Sequence, residues 1–143
     1  MKAQAQVNQA RRGVVLLPIA GAAWLVATKS RRTFDVPEVD VGEAKKLFDA
    51  GARIIDVRKM DRFDYRHIVG ALPVPLAVLQ AAIPIALASA KQAAILVYCG
   101  DGLSIGPEGT HILRSAGYTG AVNLKGGIEG WSAAGFPVAM QAG

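Results

Sequence analysis

The stretch that decides the fold is AAILVYCGDGLSIG, residues 93–106. Its first six residues are apolar without polar alternation, which is typical of a strand buried on both faces of a parallel sheet. Cys99 follows this strand, and three glycines come after it before a helix predicted to begin near Pro107. Ligands of open parallel sheets bind where strands end and loops lead into helices. We therefore expect the chemistry of this chain at Cys99.

Helix and strand patterns alternate along the rest of the chain. Apolar residues at helical spacing predict a helix over 41–50, and Gly51 is a natural stop for it. The other predicted helices cover 108–116 and 128–134, and the predicted strands cover 53–57, 70–74, 93–98 and 121–124. Alternation of this kind indicates an α/β protein with a parallel sheet and helices on both faces.

The formal charge of +5 is concentrated at the N-terminus. Residues 1–33 carry six Lys/Arg and no acidic residue, whereas residues 34–143 carry ten Lys/Arg against eleven Asp/Glu. Because residues 34–143 are nearly neutral, they have no broad basic face for phosphates, which argues against nucleic acid as a partner. A single cysteine excludes an internal disulfide, and no Cys/His spacing predicts a metal site.

An uncharged apolar run, GVVLLPIAGAAWLVAT, occupies residues 13–28. It is slightly short for a membrane-spanning helix, but Lys and Arg residues on both sides are placed to snorkel. We predict that residues 1–32 form a single-pass membrane anchor, followed by a polar tether over 33–40. A cleaved signal peptide and a buried core helix are the alternatives, and cleavage is disfavoured because LVA at 25–27 has a large residue where a small one is needed and cationic residues follow at once. Three Lys/Arg lie on each side of the run, so the positive-inside rule predicts no orientation.

A second uncharged stretch covers residues 68–90. Its three prolines argue against another membrane span. We expect residues 76–90 to form a surface helix that lacks the polar outer stripe of an ordinary amphipathic helix. Such a helix would present an apolar face, including Leu79 and Ile83, to the bilayer or to a protein partner. Coverage of that face by the chain itself is the alternative.

The loop after Cys99 has the composition of an anion-binding loop. Its residues are Gly100, Asp101, Gly102, Leu103, Ser104, Ile105 and Gly106. A glycine-rich loop can turn successive N–H groups inward, and the N-terminus of the next helix adds partial positive charge. A thiolate or persulfide at the centre of such a loop would be stabilised. A cysteine that only fills the core needs neither feature, so the pattern favours a chemical role for Cys99.

Four motifs, in this order, resemble the signatures of the rhodanese domain. They are IIDVR at 54–58, FDYRHIVGA at 63–71, VYCG at 97–100 and GGIEGW at 126–131. The resemblance covers residues 36–139 and implies an open parallel five-stranded sheet with helices on both faces, here preceded by the N-terminal apolar helix. It also implies a sulfurtransferase that takes sulfur from a donor such as thiosulfate, holds it as a persulfide, and passes it to cyanide, a thiol or a protein acceptor. Neither a metal nor an organic cofactor is expected.

The resemblance implies roles for individual residues. Cys99 corresponds to the nucleophile, and the loop amides of residues 100–106 correspond to the cradle that holds the anion. Asp56 and Arg58 resemble a buried ion pair that orders the sheet edge near the site. His67 matches a histidine that is mostly structural.

Two departures from the family pattern bear on activity. Many rhodaneses carry Arg or Lys in the loop, whereas this loop has Asp101, with Glu108 just beyond it, and both repel an anionic donor. The loop region is also one residue longer than the common spacing, as in related phosphatases and arsenate reductases. Those enzymes need an arginine where this chain has Ser104 and Ile105. We expect a sulfurtransferase or persulfide carrier; a catalytically weak binding or sensing module is the second hypothesis, and an oxyanion hydrolase or reductase is the third.

Overall fold

The buried run before Cys99 is the middle strand of the main sheet, as its sequence predicts. The computed structural model describes residues 33–141. The strands of the main sheet are β1 (Glu38–Val39), β2 (Arg53–Asp56), β4 (Leu72–Pro73), β5 (Ile95–Tyr98) and β6 (Ala121–Leu124). They are all parallel and lie in the order β1-β6-β5-β2-β4, which confirms the predicted five-stranded parallel sheet. Two short strands, β3 (Arg66–Ile68) and β7 (Val138–Met140), form a separate antiparallel pair.

Helices follow most of the strands. They are α1 (Val41–Asp49), α2 (Met60–Tyr65), α3 (Leu76–Ala81), a 3-10 helix (Ile85–Ala90), α4 (Ile105–Ser115) and α5 (Gly127–Ala133). Asp40 caps α1, because its Oδ1 accepts the Glu43 backbone N–H at 2.8 Å. Gly51 follows α1 at φ +85°, a left-handed conformation that favours glycine. The helix stop predicted at Gly51 is thus confirmed.

Helices cover both faces of the sheet, and two buried clusters result. On one face, Trp131 of α5 belongs to a cluster with Tyr98 of β5. On the other face, Leu79 of α3 and Leu113 of α4 cluster with Cys99. Adjacent residues of a strand point to opposite faces, so Tyr98 and Cys99 lie in different clusters. The cysteine therefore lies on the face that α3 and α4 cover.

The prediction of one exposed helix over 76–90 is wrong. The chain leaves helical geometry at Ala82, with φ −165° and ψ 154°, and the 3-10 helix begins only after Pro84. Proline disfavours helical geometry in the residue before it, which here is Ile83, so α3 does not continue through Pro84. Leu79 is only 2% exposed, and Ile83 packs partly buried against the same core. Neither side chain belongs to an apolar outer face.

The segment 33–40 is more than the predicted tether. Its residues Glu38 and Val39 form the edge strand β1, in register with Asn123 and Leu124 of β6. The predicted membrane anchor at residues 13–28 lies outside the described residues. Among residues 33–141, the structure contains no helix with the length and apolar character needed to span a membrane.

Candidate active site

Cys99 lies at the carboxyl end of β5, where the chain turns into the glycine loop. Its side chain is buried, with 1% of the residue exposed. The Gly102 backbone N–H donates a hydrogen bond to Cys99 Sγ over 3.2 Å. Ser104, which precedes α4, makes no side-chain cap on the helix. Among the described residues, the Gly102 N–H is thus the one amide of the predicted cradle that donates to the sulfur.

Two loop glycines are required by their surroundings. Gly102 has φ +78°, and a Cβ there would lie 2.6 Å from the carbonyl oxygen of Leu124. At Gly106, a Cβ would lie 3.0 Å from Cys99 Sγ. Side chains at these positions would displace either the loop or the sulfur.

The start of α5 holds the peptide groups that follow the sulfur. The N–H of Ile128 donates to the Cys99 carbonyl oxygen at 2.9 Å, and the N–H of Glu129 donates to the Gly100 carbonyl oxygen at 3.1 Å. A Cβ at Gly127 would collide with both carbonyl oxygens. Gly127, the second glycine of the GGIEGW motif, therefore lets α5 approach the backbone of the site.

Asp101 in the loop and Glu108 in the first turn of α4 both accept hydrogen bonds from neighbouring groups. Asp101 Oδ1 accepts the Leu103 N–H at 2.9 Å and lies 3.9 Å from Cys99 Sγ. The Asp101 side chain thus stabilises the turn, while its charge stays beside the sulfur. Glu108 Oε1 accepts a hydrogen bond from Gln80 Nε2 at 3.1 Å, which links α4 to α3. At the tip of the loop, Leu103 is 73% exposed.

The sequence analysis did not single out Asn123, although a polar residue inside the strand AVNL was a usable signal. Asn123 is fully buried. Its Nδ2 donates to Glu38 Oε2 at 2.7 Å and to the Gly102 carbonyl oxygen at 3.0 Å. Within the described residues, its Oδ1 has no hydrogen-bond partner. Strand β6 thus contributes a polar side chain to the cysteine loop.

A basic cavity of about 280 Å³ lies beside the same loop. Its lining residues are Arg58, Arg62, Tyr65, Arg66, Gly100, Ile128 and Glu129. Arg58 is paired with Asp56, whereas Arg62 and Arg66 have no ion-pair partner among residues 33–141. Although Glu129 also lines the cavity, Arg62 and Arg66 together leave it with net positive charge next to the cysteine loop, which has none of its own. The sequence analysis missed this feature because the arginines come from α2 and β3.

The ion pair of Asp56 and Arg58 lies on the face of the sheet opposite to Cys99. Asp56 is fully buried and in register with Tyr98. Arg58 Nη2 lies 2.7 Å from Asp56 Oδ2 and also donates to the Arg66 carbonyl oxygen at 2.6 Å. Burial alone would lower the pKa of Arg58, but the hydrogen bond and charge of Asp56 raise it overall. The pair therefore ties the end of β2 to β3 and does not reach the sulfur.

Tyr98 completes this buried polar group. Its hydroxyl oxygen accepts the Ile68 backbone N–H at 3.0 Å. Burial, reinforced by the negative charge of Asp56, raises the pKa of Tyr98 far above its ordinary value. The phenol therefore stays neutral and does not act as an acid or base in the site.

His67 of β3 contacts the helix α2 that precedes it. Its Nδ1 donates to the Phe63 carbonyl oxygen at 2.8 Å, and the two rings stack with centroids 3.9 Å apart. These contacts give His67 a structural role. Residues 33–141 contain no group of three His, Cys, Asp or Glu side chains able to hold a metal ion.

Comparisons with known proteins agree with this geometry. The family model of the rhodanese-like domain matches residues 40–134. The uncharacterized protein YibN of Escherichia coli K12 is 29% identical over 129 residues, which cover 85% of this chain and 90% of that protein. The human thiosulfate:glutathione sulfurtransferase is 33% identical over 107 residues, which cover 66% and 92%. The structure of the human single-domain sulfurtransferase TSTD1 matches with a TM-score of 0.58 at 30% identity, over 69% of this chain and 97% of that one. With its parallel sheet and its cysteine loop, this chain belongs to the rhodanese-like domain family, whose members include sulfurtransferases.

Proposed function

We propose that this protein is a sulfurtransferase or persulfide carrier whose sulfur passes through Cys99. The observation that carries the proposal is the Gly102 N–H held 3.2 Å from Cys99 Sγ, in a glycine loop that leads into α4. An N–H at this distance stabilises negative charge on the sulfur. Transfer through a cysteine needs that anion twice, first as the attacking group and then as the leaving group.

With thiosulfate as the donor, the Cys99 thiolate attacks the outer sulfur atom. The new S–S bond to Cys99 forms as the S–S bond of thiosulfate breaks, and sulfite leaves with the electron pair. In the second half, an acceptor thiolate attacks the outer sulfur of the Cys99 persulfide. The acceptor then carries the persulfide, and the Cys99 thiolate is restored. Both halves balance without a further oxidant or reductant.

The basic cavity supports an anionic donor or acceptor. Arg62 and Arg66 have no ion-pair partner among the described residues, and the cavity reaches Gly100, next to the nucleophile. Their charge offsets the repulsion that Asp101 exerts on thiosulfate. A thiol that bears carboxylates fits the same chemistry, and one human relative is named as a thiosulfate:glutathione sulfurtransferase.

Steady-state sulfur transfer from thiosulfate to a thiol tests this assignment. We expect Cys99→Ser to abolish turnover. Arg62→Gln and Arg66→Gln should each raise the KM for thiosulfate about two- to fivefold, the range for a partly exposed charge interaction. Arg53→Gln is the matched control, because Arg53 is exposed at the opposite end of β2, and its KM should not change.

The opposite results are equally informative. Turnover that survives in Cys99→Ser would contradict the proposal. A protein that shows no turnover and takes up no sulfur from thiosulfate or from a persulfide donor would also contradict it, and would favour the hypothesis of a binding or sensing module.

We propose separately that residues 13–28 tether the domain to a membrane. The run is uncharged, and three Lys/Arg lie on each side of it. After an alkaline carbonate wash, the full chain should remain with the membrane pellet. Leu17→Lys combined with Ile19→Lys should release it, because each central lysine costs about 2.5–3.5 kcal/mol of insertion. Recovery of the unsubstituted chain in the supernatant would contradict the tether.

A further inference from the structure

Asn123 is a buried polar side chain that the proposed transfer chemistry does not use. Its Nδ2 donates to Glu38 Oε2 at 2.7 Å and to the Gly102 carbonyl oxygen at 3.0 Å. Because Nδ2 carries two hydrogens, these two bonds use its full donor capacity. They also fix the orientation of the amide, since a flipped amide would turn its oxygen toward two acceptors.

The fixed orientation points Asn123 Oδ1 into the cysteine site. Oδ1 is without a hydrogen-bond partner in the described part of the chain. A Cβ placed at Gly106 would lie 2.5 Å from this oxygen and 3.0 Å from Cys99 Sγ, so both atoms border the same small space. An unpartnered buried oxygen is destabilising, and packing alone does not account for an asparagine at this position.

Gly102 connects Asn123 to the sulfur. Its carbonyl oxygen accepts the hydrogen bond from Asn123, while its N–H donates to Cys99 Sγ at 3.2 Å. Glycine has more backbone freedom than any other residue, and Gly102 lies at φ +78°. Its N–H and its carbonyl group lie in successive peptide planes, which can rotate against each other at the glycine Cα. The bond from Asn123 holds one of these two planes, and so narrows the set of conformations in which the N–H points away from the sulfur.

We propose that Asn123, anchored by Glu38, is a positioning residue that aims the Gly102 N–H at Cys99 and so sets the reactivity of the sulfur. This inference rests on the proposed sulfur transfer, because the same N–H stabilises the attacking and the leaving thiolate. It also gives the edge strand β1 a functional part, since Glu38 lies on that strand and accepts a hydrogen bond from the asparagine.

The rate of Cys99 alkylation by iodoacetamide, measured across pH, tests the proposal without any sulfur donor. Asn123→Leu removes both donor bonds and keeps a side chain of similar size. We expect its alkylation rate at neutral pH to fall about tenfold, as for the loss of a hydrogen bond to a charged group, with the midpoint of the rate profile moved to higher pH. Asn123→Asp has the same shape but, when ionised, cannot donate, so at neutral and alkaline pH it should change in the same direction. Glu43→Gln is the control that should match the unsubstituted protein, because Glu43 is exposed on α1 and its carboxylate pairs with Lys46.

A folded Asn123→Leu protein with an unchanged alkylation profile would overturn the proposal. If circular dichroism shows that Asn123→Leu does not fold, Glu38→Ala decides, because Glu38 is exposed and only the anchor is lost. We expect that variant to react about two- to threefold more slowly, and an unchanged profile would again overturn the proposal. Failure of the proposed function is distinguishable: the unsubstituted protein would then take up no sulfur, whatever the alkylation rates show.

Discussion

Gly106→Ala tests how closely the site is packed around the sulfur. The new methyl group would lie 3.0 Å from Cys99 Sγ and 2.5 Å from Asn123 Oδ1. Neither atom belongs to a flexible side-chain end, because two hydrogen bonds hold the Asn123 amide and the Gly102 N–H holds the sulfur. Overpacking of this kind costs about 1–3 kcal/mol, and we expect the upper half of that range.

The helix propensity of alanine acts against this loss of stability. Gly106 is the second residue of α4, and alanine in a helix is favoured over glycine by up to about 1 kcal/mol. The net loss in the free energy of unfolding should therefore be about 1–2 kcal/mol, measured by urea denaturation. Displacement of the sulfur from the Gly102 N–H should also slow the alkylation of Cys99.

Gly100→Ala is the matched control. The nearest atom to a Cβ at Gly100 is Glu129 Oε1 at 3.9 Å, an ordinary contact, and we expect a change within about 0.5 kcal/mol. If Gly106→Ala is as stable as the unsubstituted protein and Cys99 reacts at the same rate, the argument for a closely packed sulfur is refuted.

Three further predictions follow from the polar groups near the site. Arg58→Met should lower the free energy of unfolding, measured by urea denaturation, by about 3–5 kcal/mol, because it leaves Asp56 buried without its partner. A loss below about 1 kcal/mol would contradict this, and adding Asp56→Leu to Arg58→Met should recover much of the loss. The pKa of Tyr98 is raised in the folded state, so the neutral phenol stabilises the fold fully below about pH 10. Above about pH 10 this stabilisation falls by about 1.4 kcal/mol per pH unit, because the unfolded chain loses the phenol proton first. Tyr98→Phe should remove that part of the pH dependence, so an equal loss of stability with rising pH in both proteins would refute the pKa argument. The same variant should cost about 1–3 kcal/mol at pH 7, because it leaves the Ile68 N–H unpaired. Ser104→Arg adds positive charge at an exposed loop position and should raise thiosulfate turnover at low donor concentration; no gain would mean that loop charge does not limit the reaction.

The middle of the fold was predictable because its signals are local. The apolar run that became β5 and the alternating pattern around it are read from neighbouring residues, and Gly51 marks the end of α1 directly. The glycines of the cysteine loop were equally visible, since their spacing after Cys99 is a short-range feature. The structure adds the atoms that make Gly102 and Gly106 necessary.

The features that were missed depend on contacts between distant parts of the chain. Strands β3 and β7 have three residues each, too few to show a pattern of their own, and they lie far apart in the sequence. The run 76–90 looked like one helix because it carries no charge and few polar residues, but the chain leaves helical geometry at Ala82 and a 3-10 helix begins after Pro84. The basic cavity and the role of Asn123 both arise from tertiary packing.

Intact mass measured after incubation with thiosulfate, and separately with a thiol persulfide, tests the central claim most directly. The account predicts that the unsubstituted protein gains the mass of one sulfur atom, that Cys99→Ser gains none, and that an added thiol acceptor removes the gain. A protein that gains no sulfur from either donor, or a Cys99→Ser variant that gains as much as the unsubstituted protein, would contradict transfer through Cys99.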